Sequence, residues 1–181
     1  MSTYTFKSKI FILPGLGNSG DQHWQTLWEN KFGFIRIEQQ EWDTPVKDDW
    51  IDTIEKELSS HNGSDIILVG HSLAVSTIAF WAAKYKRKIK GALLVAPSDT
   101  EAPSYPPGTK GFAPMPTNKL PFPSVTITST DDVYVTLNRA EVLASSWGSK
   151  LINIGKAGHI NTSSGHGEWP DGLKYLKELD N

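Results

Sequence analysis

Six short β-rich runs punctuate this chain, and longer stretches with helical patterns alternate with them. The runs are KIFIL (9–13), FIRIE (34–38), DIILVG (65–70), GALLVA (91–96), SVTIT (124–128) and KLINI (150–154). Several are apolar almost without a break, the pattern of parallel strands covered on both faces rather than one. Between them fall GDQHWQTLWENKF, VKDDWIDTIEKELSSH and SLAVSTIAFWAAKYK. TLNRAEVLASSWG follows the fifth run, and WPDGLKYLKELDN closes the chain. In the second stretch Trp50, Ile54 and Leu58 recur four apart while Asp48, Glu55 and Lys56 point elsewhere, which is helical spacing. Strand alternating with helix predicts an α/β fold: a mainly parallel six-stranded sheet, helices on both faces, right-handed crossovers.

One connection breaks this rhythm. Residues 97–123 hold eight of the eleven prolines and no helical period. Proline removes a backbone donor and disfavours helix at the residue before it, so an extended excursion is expected there. A connection of that length inside a domain is usually functional or mobile.

Composition narrows the classes further. A chain of 181 residues fits one domain, 1–181, and can bury roughly 70% of its unfolded surface. Its 20 acidic and 18 basic residues are interspersed, and the net charge of −2 gives no reason to expect nucleic acid or an anionic membrane as partner. The absence of cysteine excludes disulfides, thiolate metal sites and a cysteine nucleophile. The stretch MSTYTFKSKIFILPG has no small-residue cleavage pattern, and no run reaches the ~18–20 apolar residues of a membrane span. A soluble, cytoplasmic protein is the expectation. Seven tryptophans invite thoughts of sugar or aromatic ligands, but most fall at helix positions facing the core and read as packing.

Chemistry enters at ILVGHSLAVS. A strand ends near Gly70 and a helix begins near Ser72, at the carboxyl edge of the sheet, where ligands of open α/β folds bind. Ser72 is either an N-cap for that helix or a nucleophile on a sharp strand-to-helix turn. The turn wants small residues two before and two after the serine. Gly70 meets the first demand, and Ala74 departs from the usual glycine by one methyl group.

A serine hydroxyl needs a base to take its proton and an acid to hold that base. In α/β hydrolases these follow in the order Ser, Asp/Glu, His. Of five histidines, only His159 and His166 come after Ser72. His159 stands in a glycine-flanked turn just past the last strand and is the stronger candidate; His166 fits an exposed loop. Asp131 and Asp132 lie just past the fifth strand, and spacing does not choose between them. Asp99, after the fourth strand, is a third possibility. Donors for an oxyanion would be the backbone N–H of Leu73 and one from the loop LPGLGNSGDQHW, with Leu16 first and Gly15 next. That loop contains no G-x-G-x-x-G, so a nucleotide site is poorly supported.

PGLGNSGDQHWQTLWE, VGHSLA, STDDVYV and AGHINTSSGHGEWPDGL together resemble the small serine hydrolases typified by retinoblastoma-binding protein and its bacterial relatives. The likeness spans nearly the whole chain and implies a compact α/β-hydrolase fold without a cap domain. It implies Ser72 as nucleophile and His159 as base, and favours Asp132 as the acid, with Asp131 still open. His23, Trp24 and Gln25 match a family segment near the site; packing is the favoured role for Trp24. Asn161 is expected to brace the His159 turn, and His71 is a further candidate for substrate binding or site support. Retinoblastoma-protein binding is linked to an L-x-C-x-E motif and does not carry over to a chain without cysteine. The expected activity is hydrolysis of a small ester or amide through an acyl-enzyme, with no metal or organic cofactor. A binding module on a hydrolase scaffold and a cofactor-free acyltransferase or perhydrolase are the alternatives.

Overall fold

In chain order the strands are β1 (Lys9–Leu13), β2 (Ile35–Arg36), β3 (Ile66–His71), β4 (Gly91–Val95), β5 (Ser124–Thr128) and β6 (Lys150–Asn153). The helices are α1 (Trp24–Phe32), α2 (Lys47–Leu58), α3 (Leu73–Tyr85), α4 (Leu137–Trp147) and α5 (Pro170–Asp180). The computed structural model describes residues 4–181; Met1 to Thr3, part of the N-terminal stretch read above, lie outside the described residues. The strands form one sheet in the order β2-β1-β3-β4-β5-β6, and every neighbouring pair is parallel.

The near-continuous apolar runs have a direct cause. Along β3, Ile66 and Leu68 face one layer while Ile67 and Val69 face the other. The first layer packs against α2, α3 and α4 through Ile51, Ile54, Ile78 and Leu143. The second packs against α1 and α5 through Trp24, Trp28, Leu173 and Leu176. Both faces are dry, so alternation disappears from the sequence. Among the described residues, no helix is long and apolar enough to cross a membrane.

Two predicted boundaries move. The second strand is two residues rather than 34–38, because it lies at the sheet edge and pairs only with β1, Phe11 to Ile35 and Ile12 to Arg36. The first helix starts at Trp24 rather than Gly20. His23 is its cap, its Nδ1 accepting from Gln25 N–H at 3.2 Å, and a turn closes before it through His23 N–H to Gly20 O.

Sheet order positions the site. From β1 the chain steps outward to β2, then returns across β1 to β3 and proceeds the other way. That reversal opens a crevice at the carboxyl ends of β1 and β3. Register brings Leu13 beside Gly70, His71 beside Val95 and Thr128 beside Asn153, so the loops after β1, β3, β4, β5 and β6 gather at one edge.

The opposite end is tied by Asp180. Its carboxylate has 0% exposure and accepts from Lys7 N–H (3.0 Å), Ser8 N–H (2.9 Å) and Lys177 Nζ (2.9 Å). Burial pushes its pKa up, but the Lys177 bond and the Lys7 and Ser8 amides outweigh that and hold it well below the carboxylate range. A depressed folded-state pKa adds stability above the unfolded value of about 4, lost as pH falls toward the folded one. Asp180→Asn is therefore expected to cost ~2–3 kcal/mol at neutral pH in denaturant unfolding. The gap between variant and wild type should narrow as pH drops below about 4.

Candidate active site

Ser72 occupies the turn between β3 and α3 with φ 58° and ψ −123°, backbone that a non-glycine residue adopts only under constraint. The constraint is visible on both sides. Ser72 N–H donates to Val95 O at 3.0 Å, and Ser72 O accepts from Val75 N–H at 3.0 Å. A Cβ on Gly70 would stand 2.7 Å from Ile78 Cδ1 and 3.4 Å from the Ala74 carbonyl carbon, so the helix leaves the strand so closely that a side chain there would have to displace the end of Ile78. Ala74 is accommodated, fully packed. The Ser72 side chain caps nothing. Its Oγ lies 2.9 Å from His159 Nε2 and 2.8 Å from Ser98 Oγ.

The His159 turn is held from several directions. Asp131 Oδ1 accepts from the N–H groups of Ala157 (2.9 Å) and Gly158 (2.8 Å), and Ser129 Oγ donates to Gly158 O. His71 Nε2 donates to His159 O at 2.9 Å, and Trp24 Nε1 donates to Ile160 O at 2.8 Å. Asn161 and Ser164 close a reciprocal cap on the short turn that follows. Gly158, with φ 55°, could not carry a side chain: a Cβ would meet Ser164 Cβ at 2.7 Å.

His159 Nδ1 then sits 2.9 Å from both oxygens of Asp132, whose side chain is fully buried and also accepts from Tyr134 N–H at 2.9 Å. A carboxylate only accepts, so the imidazole proton belongs on Nδ1 and Nε2 is free to accept from Ser72 O–H. The paired aspartates divide the work. Asp132 meets the ring, while Asp131 meets the backbone that carries it, the Gly158 N–H holding its carboxyl below the usual value. The other candidates stay away. Asp99 pairs with Arg139 at 3.3 Å, and His166 Nδ1 meets Ser164 Oγ at 3.2 Å.

The loop after β1 closes the other wall. A Cβ on Gly15 would come within 2.8 Å of His71 O and Ser72 Cβ, so this loop touches the serine turn backbone to backbone. Gly17 N–H to Trp42 O (2.9 Å) and Asn18 N–H to Gly15 O (3.1 Å) fix its course. Gln25 braces it from beneath: Nε2 donates to Leu13 O and Val69 O, and Oε1 accepts from Ser19 Oγ at 2.7 Å. The N–H groups of Leu16 and Leu73 have no acceptor among the described residues, Leu73 being the first residue of α3. His23 meets His71 edge-on beside the site at 4.8 Å between ring centres, and the His71 ring lies tilted against His159 at the same separation. Burial, then Arg36 and His159, lower the His23 pKa to about 4, and burial holds His71 well below its usual value. Both rings are neutral at neutral pH.

Together these walls enclose a cleft of about 170 Å³ over Ser72, bounded by Leu16, Asn18, His23, Tyr105, Pro106 and Tyr134. Among the described residues, no Lys, Arg, Asp or Glu lines it. Gln25 lies below the cleft rather than on it; Gly15, His71 and Asn161 line it. Ser98, Tyr105 and Pro106 come from the proline-rich excursion, which is pinned to the start of α2 by Lys47 N–H to Lys110 O and Lys110 N–H to Pro45 O, both 2.9 Å. Ser98 and Tyr105 carry no motif in the sequence. Their only signal is position, just past the fourth strand in a connection too long to be idle.

A family model described as serine hydrolase matches residues 10–178. A protein from Pectobacterium atrosepticum described as a YdeN-like hydrolase is 33% identical, with 96% of this chain and 91% of that one covered and a TM-score of 0.84. The ydeN gene product of B. subtilis is 19% identical over 95% of this chain and 98% of its own, TM-score 0.81. A butyrate-bound thermophilic esterase from Thermogutta terrifontis shares the fold at 16% identity, 96% and 82% coverage and a TM-score of 0.65. No curated protein matches.

Proposed function

This chain belongs to the serine hydrolase family, and on that premise we propose that it cleaves small, uncharged esters or amides through Ser72, His159 and Asp132. The observation that carries this reading is the unbroken line of hydrogen bonds from Asp132 through His159 to Ser72, each 2.9 Å, ending at the floor of a cleft. Ser72 Oγ attacks the carbonyl carbon while its proton passes to His159 Nε2. Asp132 stabilises the imidazolium that forms. The carbonyl oxygen, now negative, takes the N–H groups of Leu73 and Leu16. Collapse expels the alcohol or amine, which receives the proton from Nε2. Water then gives a proton to His159 and attacks the acyl group, and Ser72 leaves with its hydroxyl restored.

Cleft size and lining support the substrate class. A volume of about 170 Å³ lies below the roughly 300–1,000 Å³ of drug-sized sites. A carboxylate entering a cleft without a cation would lose its hydration unpaired. p-Nitrophenyl butyrate is therefore expected to exceed the hemisuccinate ester in kcat/KM by roughly 100-fold or more. Equal rates for the two, in a steady-state ester panel, would refute the uncharged-substrate assignment.

A further inference from the structure

A second hydroxyl meets the nucleophile, and the steps above do not use it. Ser98 Oγ stands 2.8 Å from Ser72 Oγ on a residue with 0% exposure. Its position follows from the end of β4. Val95 O is engaged by Ser72 N–H, and Ala96 takes φ 49°, turning the chain off the sheet and over the start of α3. Ser76 Oγ reaches the Ser98 carbonyl at 3.4 Å, and Asp99 N–H donates to Tyr134 O at 2.9 Å, so Ser98 is held from both sides.

Proton counting fixes the direction of the contact. His159 has its proton on Nδ1, facing Asp132, so Nε2 can only accept. Ser72 has one proton, and the 2.9 Å contact to Nε2 uses it. The contact with Ser98 is then a hydrogen bond only if Ser98 is the donor. Resting on the Ser72 nucleophile proposed above, we propose that Ser98 is a further catalytic residue whose O–H stabilises the negative charge on Ser72 Oγ during acyl transfer.

The charge arises twice. It builds as the Ser72 O–H bond breaks toward Nε2 and the Oγ–carbon bond forms. It builds again when that bond breaks in the acyl-enzyme and Oγ regains its proton from Nε2. Ser98 keeps its own proton throughout, since Ser72 gives its proton to His159 Nε2 and recovers it from there. Tyr105 lies beside it at the cleft wall, but burial pushes that phenol up to about 12, leaving it protonated and unable to accept a proton.

The test compares Ser98→Ala and Ser98→Cys with wild type in three measurements. These are kcat/KM for p-nitrophenyl acetate and butyrate, the rate of phosphonylation by a fluorophosphonate probe, and the unfolding temperature. Loss of one hydrogen bond to a developing charge is worth roughly 10- to 100-fold. Ser98→Ala should fall by that factor equally for both esters and for the probe, because Ser98 acts on Oγ and not on the acyl group. Ser98→Cys, with a weaker donor of similar size, should lie between. Wild-type rates in Ser98→Ala, or a loss that differs between acetate and butyrate, would overturn the donor role and leave Ser72 as nucleophile. If the alanine variant does not fold, a wild-type rate in Ser98→Cys overturns it equally. A folded wild type that takes up neither ester nor probe overturns the Ser72 assignment and this one with it.

Discussion

Ser72→Ala is expected to lower kcat/KM for a short ester by roughly 10⁴- to 10⁶-fold, and His159→Ala by a similar factor. The two act as one unit. Without Oγ there is nothing to carry the acyl group, and without Nε2 nothing takes the proton across the 2.9 Å gap. The double variant should therefore be little worse than either single one, since removing half of a nucleophile–base pair already removes the pair. A residual rate above water remains, because the N–H groups of Leu73 and Leu16 and the cleft itself are untouched. Folding should be unaffected within ~1 kcal/mol, since the Ser72 side chain caps no helix. Steady-state assays with unfolding curves on the same preparations check both parts. Activity within tenfold of wild type in a folded Ser72→Ala would refute the assignment.

Asp132→Asn is the second large effect, expected near 10⁴-fold in kcat. An amide in place of the carboxylate can present a donor to Nδ1. The imidazole then carries its proton on Nε2, the nitrogen that must accept from Ser72. Substitution of the neighbour should behave differently. Asp131→Asn keeps an oxygen for the Ala157 and Gly158 amides, so its rate loss should stay within about tenfold, the scale of one weakened hydrogen bond. Its effect should appear as a lower melting temperature, because the turn that presents His159 loosens. Comparable rate losses in the two variants would contradict this division between ring and backbone.

The fold was legible wherever burial wrote a pattern. Strands β3 and β4 could be read from near-unbroken apolar runs, since neighbours such as Ile66 and Ile67, or Ala92 and Leu93, face opposite, equally dry layers. The run 34–38 located β2 but not its length, because an edge strand paired only with β1 is held over just Ile35 and Arg36. The chemistry divides in a similar way. Ser72 and His159 were legible because the elbow and the order of partners along the chain carry information. Asp131 and Asp132 were not separable by spacing. Adjacent carboxylates differ only in which way the turn points them, and the resemblance, not the residues, favoured Asp132. Gln25 and Ser98 were harder still. Gln25 earns its place by joining Leu13 O to Val69 O, and Ser98 by lying across from the end of β3. Both roles arise between strands distant in sequence; the resemblance pointed to Gln25 through the segment His23 to Gln25 without giving its role, and Ser98 leaves no local motif.

Fluorophosphonate labelling read by intact mass and peptide mapping tests the nucleophile most directly. Wild type should take up one phosphonyl group, mapped to Ser72, and Ser72→Ala and His159→Ala should take up none on the same timescale. A correctly folded wild type that stays unmodified, or an adduct on any residue other than Ser72, would contradict the mechanism.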